Sequence, residues 1–228
     1  MFIESIWLFF YNINYDIIKT VINMKEYESK LYDQGIKLIA GVDEVGRGPL
    51  VGSVVTAAVI LPIDFYDERI NDSKKLTEKK REELYDVIMD NAISVGIGMS
   101  SNEIIDEINI LNATKRAMIE AINNLNVKPE HLLIDAVKLD IDIPSTSIIK
   151  GDAKSQSIAA ASIIAKVTRD RMMIELDKEH PEYDFKHNKG YGTKKHIEAL
   201  YKYGPLKEHR RSFEPVTSLV FKDNNKKA

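Results

Sequence analysis

Ser157 to Leu176 is the longest helical signal in the chain, and Ala159, Ala160, Ala161 and Ala165 keep it thin. Alanine is the best helix former and adds almost no girth, so such a helix suits close packing on a sheet. Strands able to make that sheet are present. Leu38-Ile39-Ala40-Gly41-Val42 is a short buried-strand run, broken by the glycine turn Gly46-Arg47-Gly48-Pro49. Val51 to Leu61 is a second, ended by Pro62, and the two read as a hairpin. Ile93 to Met99 alternates Val95, Ile97 and Met99 with Gly96 and Gly98. His131-Leu132-Leu133-Ile134 runs straight into Asp135, and Ser147-Ile148-Ile149 precedes Gly151-Asp152. Between the strands lie helical stretches: Thr77 is a candidate N-cap ahead of Leu84, Val87 and Ile88, and Leu111, Met118, Ile122 and Leu125 lie at helical spacing. A hairpin first, then strands alternating with helices, predicts an α/β sandwich around a mixed sheet flanked by helices.

The chain has 228 residues, 44% of them hydrophobic and 29% charged, which suits one domain with a small C-terminal extension. It has no cysteine, which excludes a disulfide framework, a zinc-thiolate site and a cysteine nucleophile, and fits a reducing cytoplasm. Net charge is only −3, so any nucleic-acid surface must be a local patch. The apolar run Ile6 to Phe10 is too short to span a bilayer, and Met1 to Asn23 lacks the basic region and cleavage site of a secretory signal. That stretch reads as a docked N-terminal helix or as sequence translated upstream of a start at Met24, with the second favoured. From Lys25 the chain reads as helix, with Tyr27, Leu31 and Tyr32 on one side and Glu26, Glu28 and Lys30 elsewhere. The polar tail Lys222 to Ala228 is expected to fray.

The chemistry lies in the acids. Asp43-Glu44 places two mutually repelling carboxylates where an apolar strand meets a glycine turn, Asp135 ends another apolar strand, and Asp152 precedes the alanine-rich helix. Such rims are where α/β folds collect their sites. Taken singly each has a plain structural reading: a solvated turn for Asp43-Glu44, a cap for Asp135, a helix N-cap for Asp152. Taken together, carboxylates from separate segments suit hard cations such as Mg²⁺, which take oxygen ligands and keep several waters. Two such ions can activate a water and stabilise the leaving oxygen of a phosphodiester.

The words around these acids resemble a known family. Gly41-Val42-Asp43-Glu44-Val45-Gly46-Arg47-Gly48-Pro49-Leu50 is similar to the opening motif of ribonuclease HII. Asp72-Ser73-Lys74-Lys75-Leu76, Leu133-Ile134-Asp135, Gly151-Asp152, Ser157 to Asp170, Gly190-Tyr191-Gly192-Thr193 and His209 to Phe213 follow in family order, over about Lys25 to Phe213. The resemblance implies a ribonuclease H-like fold in which Asp43, Glu44, Asp135 and Asp152 are the catalytic, metal-binding acids, Asp43 being the best candidate to bridge two Mg²⁺ or Mn²⁺ ions. It implies that Gly46, Arg47 and Gly48 read the ribonucleotide through main-chain contacts and that Tyr191 packs on the adjoining sugar. Lys74 and Arg169 are candidates for phosphate or structural contacts, and Asp170 for a structural salt bridge. The implied activity is cleavage of the RNA strand of RNA/DNA hybrids, and of duplex DNA 5′ of a single embedded ribonucleotide, leaving 3′-hydroxyl and 5′-phosphate ends.

The expected layout is an N-terminal extension (1–23), a catalytic core (24–180), a helical substrate-binding extension (181–214) and a tail (215–228), acting as a monomer away from membranes. Between Lys186 and Arg211 there are eight basic residues against Glu198 and Glu208, a net of +6, interleaved with Tyr191, Tyr201 and Tyr203; this run is expected to grip the duplex backbone. A close alternative is a ribonuclease HIII-like nuclease, whose type lacks the Gly-Arg-Gly loop and carries an added N-terminal domain that the segment before Gly41 is too short to supply. A different class would be a non-catalytic nucleic-acid binding module on the same fold, against which the four acids argue. A structural or small-molecule α/β protein is disfavoured by the basic run and the lack of a cofactor motif.

Overall fold

The computed structural model describes residues 24–220, so the expectations for residues 1–23 and for the tail from 221 onward lie outside the described residues. Five strands form one sheet: β1 (Ile39–Val45), β2 (Val54–Ile60), β3 (Ser94–Ser100), β4 (His131–Asp135) and β5 (Ser145–Ile148), in the order β3-β2-β1-β4-β5. β1 pairs antiparallel with β2, and β2 with β3, whereas β1–β4 and β4–β5 are parallel. The sheet is therefore mixed, as expected. The helices are α1 (Glu26–Tyr32), α2 (Glu78–Asn91), α3 (Asn102–Asn123), α4 (Gln156–Glu179), α5 (Phe185–Asn188) and α6 (Lys194–Tyr203). Among the described residues no helix is long and apolar enough to cross a membrane.

Strand alternation explains the two cores. On β2, Ala57 and Val59 meet Ala159, Ala160, Ile163 and Ile164 of α4, while Ala58 and Ile60 meet Met118, Ala121 and Ile122 of α3. Each fully buried Ile, Leu or Val contributes roughly 1.5–3 kcal/mol. The thin helix does what its alanines imply. A Cβ on Gly41 of β1 would lie 2.0 Å from the Ser157 carbonyl carbon, so α4 rests directly on the strand backbone and any side chain there would lift it.

Several boundaries differ from expectation, each for a local reason. β1 does not stop before the acids: Asp43 and Glu44 pair with Ala57 and Thr56, and the chain turns only at Gly46 (φ 94°). α3 starts at Asn102, capped by Ser101, well before Leu111; a non-helical Asn109 (φ 65°) breaks the period that the sequence would otherwise display. α4 is capped by Ser155, whose hydroxyl accepts the Ile158 N–H at 3.2 Å, leaving Asp152 free of the N-cap role. Thr77 caps α2 as expected, accepting the Lys80 N–H. Glu28, expected away from the core, is buried: its Oε1 accepts from Ser155 Oγ at 2.6 Å and from the Ser157 N–H at 3.0 Å. A carboxylate is favoured there because the first N–H groups of a helix lack partners and carry partial positive charge.

Candidate active site

Parity along the strands brings the first two acids together. Gly41 registers with Leu133 and Val42 with Ile134 across the parallel β1–β4 pair, so the same register sets Asp43 beside Asp135. Gly41 faces α4 and Leu133 packs on Ile158 of α4, so Asp43 and Asp135, two residues on, point to that same side. Asp152 joins them from a 3₁₀ turn, Gly151–Ala153, ahead of α4. Asp135 holds that turn itself, its Oδ1 accepting the Gly151 N–H at 2.7 Å. Glu44 follows Asp43 at the rim, with Oε1 3.5 Å from the half-exposed Arg47 guanidinium. Lys74 reaches in from the loop before α2, its Nζ 3.9 Å from Asp152 Oδ2.

The acids feel one another. Burial, then the neighbouring Glu44, pushes the Asp43 carboxyl well above the usual carboxylate range; Asp135 adds to this, and a hydrogen bond from Ser162 opposes it. Glu44 is raised by burial and by Asp135 against the pull of Arg47. Asp152 is raised by burial, then Asp135 and Asp72, with Lys74 opposing. For Lys74, burial works downward, but Asp152, Asp43, Asp72 and Asp135 outweigh it and raise the ammonium. Asp43, Glu44, Ser73, Lys74, Ser162, Lys166 and Tyr191 share the lining of one cleft of about 70 Å³, and Asp135 and Asp152 lie outside that lining.

Ser73 and Ser162 were not singled out in the sequence. Their hydroxyls lie 2.9 Å apart, and Ser162 favours the ionised form of the Asp43 carboxyl. Both sit inside the motif blocks, which was the available signal.

The glycine loop and Tyr191 form the adjoining wall. A Cβ on Gly48 would lie 3.3 Å from Tyr191 Cε1, so the half-exposed ring already rests against that glycine. Two buried arginines brace the wall. Arg210 donates to the carbonyls of Gly46, Arg47, Pro49 and Gly52, and Arg169 to those of Val51, Ser53 and Lys189. Arg169 is therefore a structural contact. Asp170 lies in ion pairs, 2.6 Å from Lys166 Nζ and 3.7 Å from Arg81, as expected.

The basic run needs correction. Arg210 is fully buried and Lys189 points inward, 3.7 Å from Glu78, so neither can grip a duplex. Lys186, Lys194, Lys195, Lys202, Lys207 and Arg211 remain exposed. Tyr201 and Tyr203 are exposed beside them.

A hard cation suits the acid cluster. Among the described residues no three acidic or histidine side chains close into a ready-made cage. Ions that keep most of their waters need only one or two carboxylates, however. Glu44 Oε2 is buried without a hydrogen-bond partner next to the desolvated Asp43, and the donor set is all oxygen. An orphaned buried carboxylate oxygen is costly unless something positive meets it.

The sequence profile described as Ribonuclease HII matches residues 40–216. A ribonuclease HII of Bacillus cytotoxicus is 61% identical over 199 residues, covering 87% of this chain and 77% of that protein. The crystal structure of the ribonuclease H2 from Pyrococcus horikoshii superposes with a TM-score of 0.70 at 27% identity, covering 82% of this chain and 98% of that one. The ribonuclease HII of Archaeoglobus fulgidus, solved in complex with PCNA, gives 0.66 at 27% identity over 78% and 95% of the two chains. The mixed sheet with its flanking helices is thus the ribonuclease H-like fold. Because the profile spans every element that carries the acids, the glycine loop and Tyr191, this chain belongs to the ribonuclease HII family and is a ribonuclease H endonuclease.

Proposed function

We propose that the protein cleaves the RNA strand of RNA/DNA hybrids and cuts duplex DNA on the 5′ side of a single embedded ribonucleotide, with divalent cations held by Asp43, Glu44, Asp135 and Asp152. One observation carries the reading: acids from three separate segments meet at one end of the sheet, next to the place where Tyr191 rests on Gly48. When bound, two Mg²⁺ or Mn²⁺ ions supply positive charge that lowers the pKa of water and stabilises the leaving 3′-oxygen.

The chain's own residues do the rest. Asp43 and Glu44 sit on a hydrogen-bonded strand and offer fixed carboxylates, with Ser162 aligning Asp43. Asp135 shapes the Gly151–Asp152 turn and so sets where Asp152 points. Lys74 balances the acid cluster and is placed to meet an incoming phosphate. Backbone of Gly46 to Gly48 can approach a sugar edge closely, and its polar groups can pair with a 2′-hydroxyl, the group that distinguishes RNA from DNA. Tyr191 supplies a flat apolar face for the neighbouring sugar. The helical segment 181–214 is the substrate-binding extension, gripping phosphates through its exposed lysines and Arg211.

Cleavage of a DNA duplex carrying one ribonucleotide, with added Mg²⁺ or Mn²⁺ and an EDTA control, tests this directly. A cut 5′ of the ribonucleotide, lost in EDTA and in Asp43→Asn, is expected. Cleavage of hybrids alone would favour a ribonuclease HIII-like specificity, and metal-independent turnover would remove the acids from the chemistry.

A further inference from the structure

His196 on α6 and His209, which bridges to Val51, are both fully buried, and neither takes part in the cleavage chemistry proposed above. Their Nε2 atoms lie 3.0 Å apart. Their outer nitrogens each meet backbone: His209 Nδ1 accepts the Leu206 N–H at 2.9 Å, and His196 Nδ1 lies 2.9 Å from the Tyr191 carbonyl oxygen. A neutral imidazole has one donor and one acceptor nitrogen. The Leu206 N–H makes His209 Nδ1 an acceptor, so the His209 proton sits on Nε2. His196 Nε2 must then accept it, and the His196 proton sits on Nδ1, facing the Tyr191 carbonyl. Only one arrangement of protons satisfies all four nitrogens.

We propose that His196 and His209 are a positioning pair for Tyr191, a one-way hydrogen-bond chain from the Leu206 N–H to the Tyr191 carbonyl that fixes the backbone from which the ring reaches Gly48. This rests on the reading of Tyr191 as the residue that packs on the sugar. The chain joins the two halves of the recognition wall. At one end the Tyr191 carbonyl also accepts the Thr193 N–H at 2.8 Å, and the Tyr191 N–H donates to Asn188 at 2.9 Å. At the other end His209 sits between Glu208, whose carbonyl accepts the Gly52 N–H, and Arg210, whose N–H donates to Leu50. Leu50 in turn donates to the Gly190 carbonyl at 2.8 Å, closing the circuit around the glycine loop. Phe185 and Tyr183 shield the imidazoles, with ring centroids 5.3 Å from His196 and 5.5 Å from His209. Water therefore cannot substitute for a lost donor.

The test pairs spectroscopy with a double-mutant cycle. Long-range ¹⁵N–¹H spectra of the wild-type protein should find His209 as the Nε2–H tautomer and His196 as the Nδ1–H tautomer, both neutral; the opposite tautomers or a charged ring would overturn the proposal. On a DNA duplex with one ribonucleotide, His196→Leu should lower kcat/KM by roughly 10–100-fold, as a misplaced substrate contact does. His196→Asn, whose amide can donate from the Nδ1 position, should stay within about threefold of wild type. An Asn variant that folds and falls as far as Leu would refute donation at that position. On a Tyr191→Ala background His196→Leu should cost less than about threefold more. Additive losses beside a damaging Tyr191→Ala would overturn the positioning role alone. Full activity in Tyr191→Ala would overturn the sugar-packing reading and the positioning role with it.

Discussion

At the scale of single residues, Asp43 carries a conflict between folding and use. Burial and the adjoining Glu44 make its ionised form costly in the metal-free protein. A folded-state pKa above the unfolded value means that the folded state holds the proton longer. The associated stability is present at low pH and is lost as pH rises through the folded value, a tenfold difference in proton affinity being worth about 1.4 kcal/mol. Asp43→Asn should therefore abolish cleavage yet raise the melting temperature in EDTA, by about 2–4 °C per kcal/mol, with a larger gain at alkaline than at acid pH. Thermal melts across pH check this, and a destabilised Asn variant would mean the carboxylate has a partner that offsets its burial. Gly48 gives the complementary case. With Tyr191 Cε1 3.3 Å from where a Cβ would sit, Gly48→Ala forces the ring to yield by a few tenths of an ångström. Single-ribonucleotide cleavage should drop by about tenfold or more, while unfolding in urea should shift by less than about 1 kcal/mol. Equal damage to both would make the contact purely structural. The four acids were legible in sequence because they stand inside distinctive words. Ser162 and Ser73 were not, since a serine among alanines or lysines carries no periodic or charge signal of its own.

At the scale of elements, the glycine loop is less a free turn than a segment pinned from behind. Arg210 saturates the carbonyls of Gly46, Arg47, Pro49 and Gly52 and makes no ion pair among the described residues; burial, then the nearby Arg169, lowers its pKa to about 9 against the opposing pull of Asp106. Arg210→Met would strand these carbonyls, and a loss of at least about 3 kcal/mol in urea unfolding is expected. A loss below about 1 kcal/mol would mean that water replaces the guanidinium. The histidine pair leaves its own thermodynamic mark. Burial, then His196, brings His209 down to about 3, and burial lowers His196 as well. Unfolded, both rings take a proton near the ordinary value of about 6.5, whereas the folded protein resists it. Stability is thus full above about pH 6.5 and declines as pH falls toward about 3. In the Asp43→Asn background, where the most strongly raised of the opposing acids is removed, the melting temperature should fall between about pH 7 and about pH 5. A flat profile would mean that the pair protonates in place. None of this was legible in sequence, because a buried arginine or histidine inside a basic run looks like its solvated neighbours until the backbone carbonyls around it are known.

At the scale of the whole molecule, the proposed function has a chain of net charge −3 meeting a polyanion through the exposed cations between Lys186 and Arg211. The sequence count of eight bases from Lys186 to Arg211 overstates that face by Lys189 and Arg210, which turn inward. Were all six exposed cations to neutralise phosphates, they would contribute about −5 to the slope of log K against log salt. Binding of a catalytically dead variant to a hybrid at several salt concentrations checks this; a flat response would put the contact surface elsewhere. The mixed sheet was legible because apolar strand runs alternate with helical spacing, and the alanine-rich helix already implied a tight seat on β1. The strand ends were not, because acids read as terminators although their backbone remains paired. That continued pairing has a mechanical consequence. Asp43 and Glu44 ride on backbone clamped by β2, whereas Asp152 rides on a short turn between β5 and α4 that the Asp135–Gly151 hydrogen bond ties to β4. With cations held by these acids as proposed, the site would be a vice with one fixed jaw and one sprung jaw, and accommodation to ions of different radius is expected on the Asp152 side.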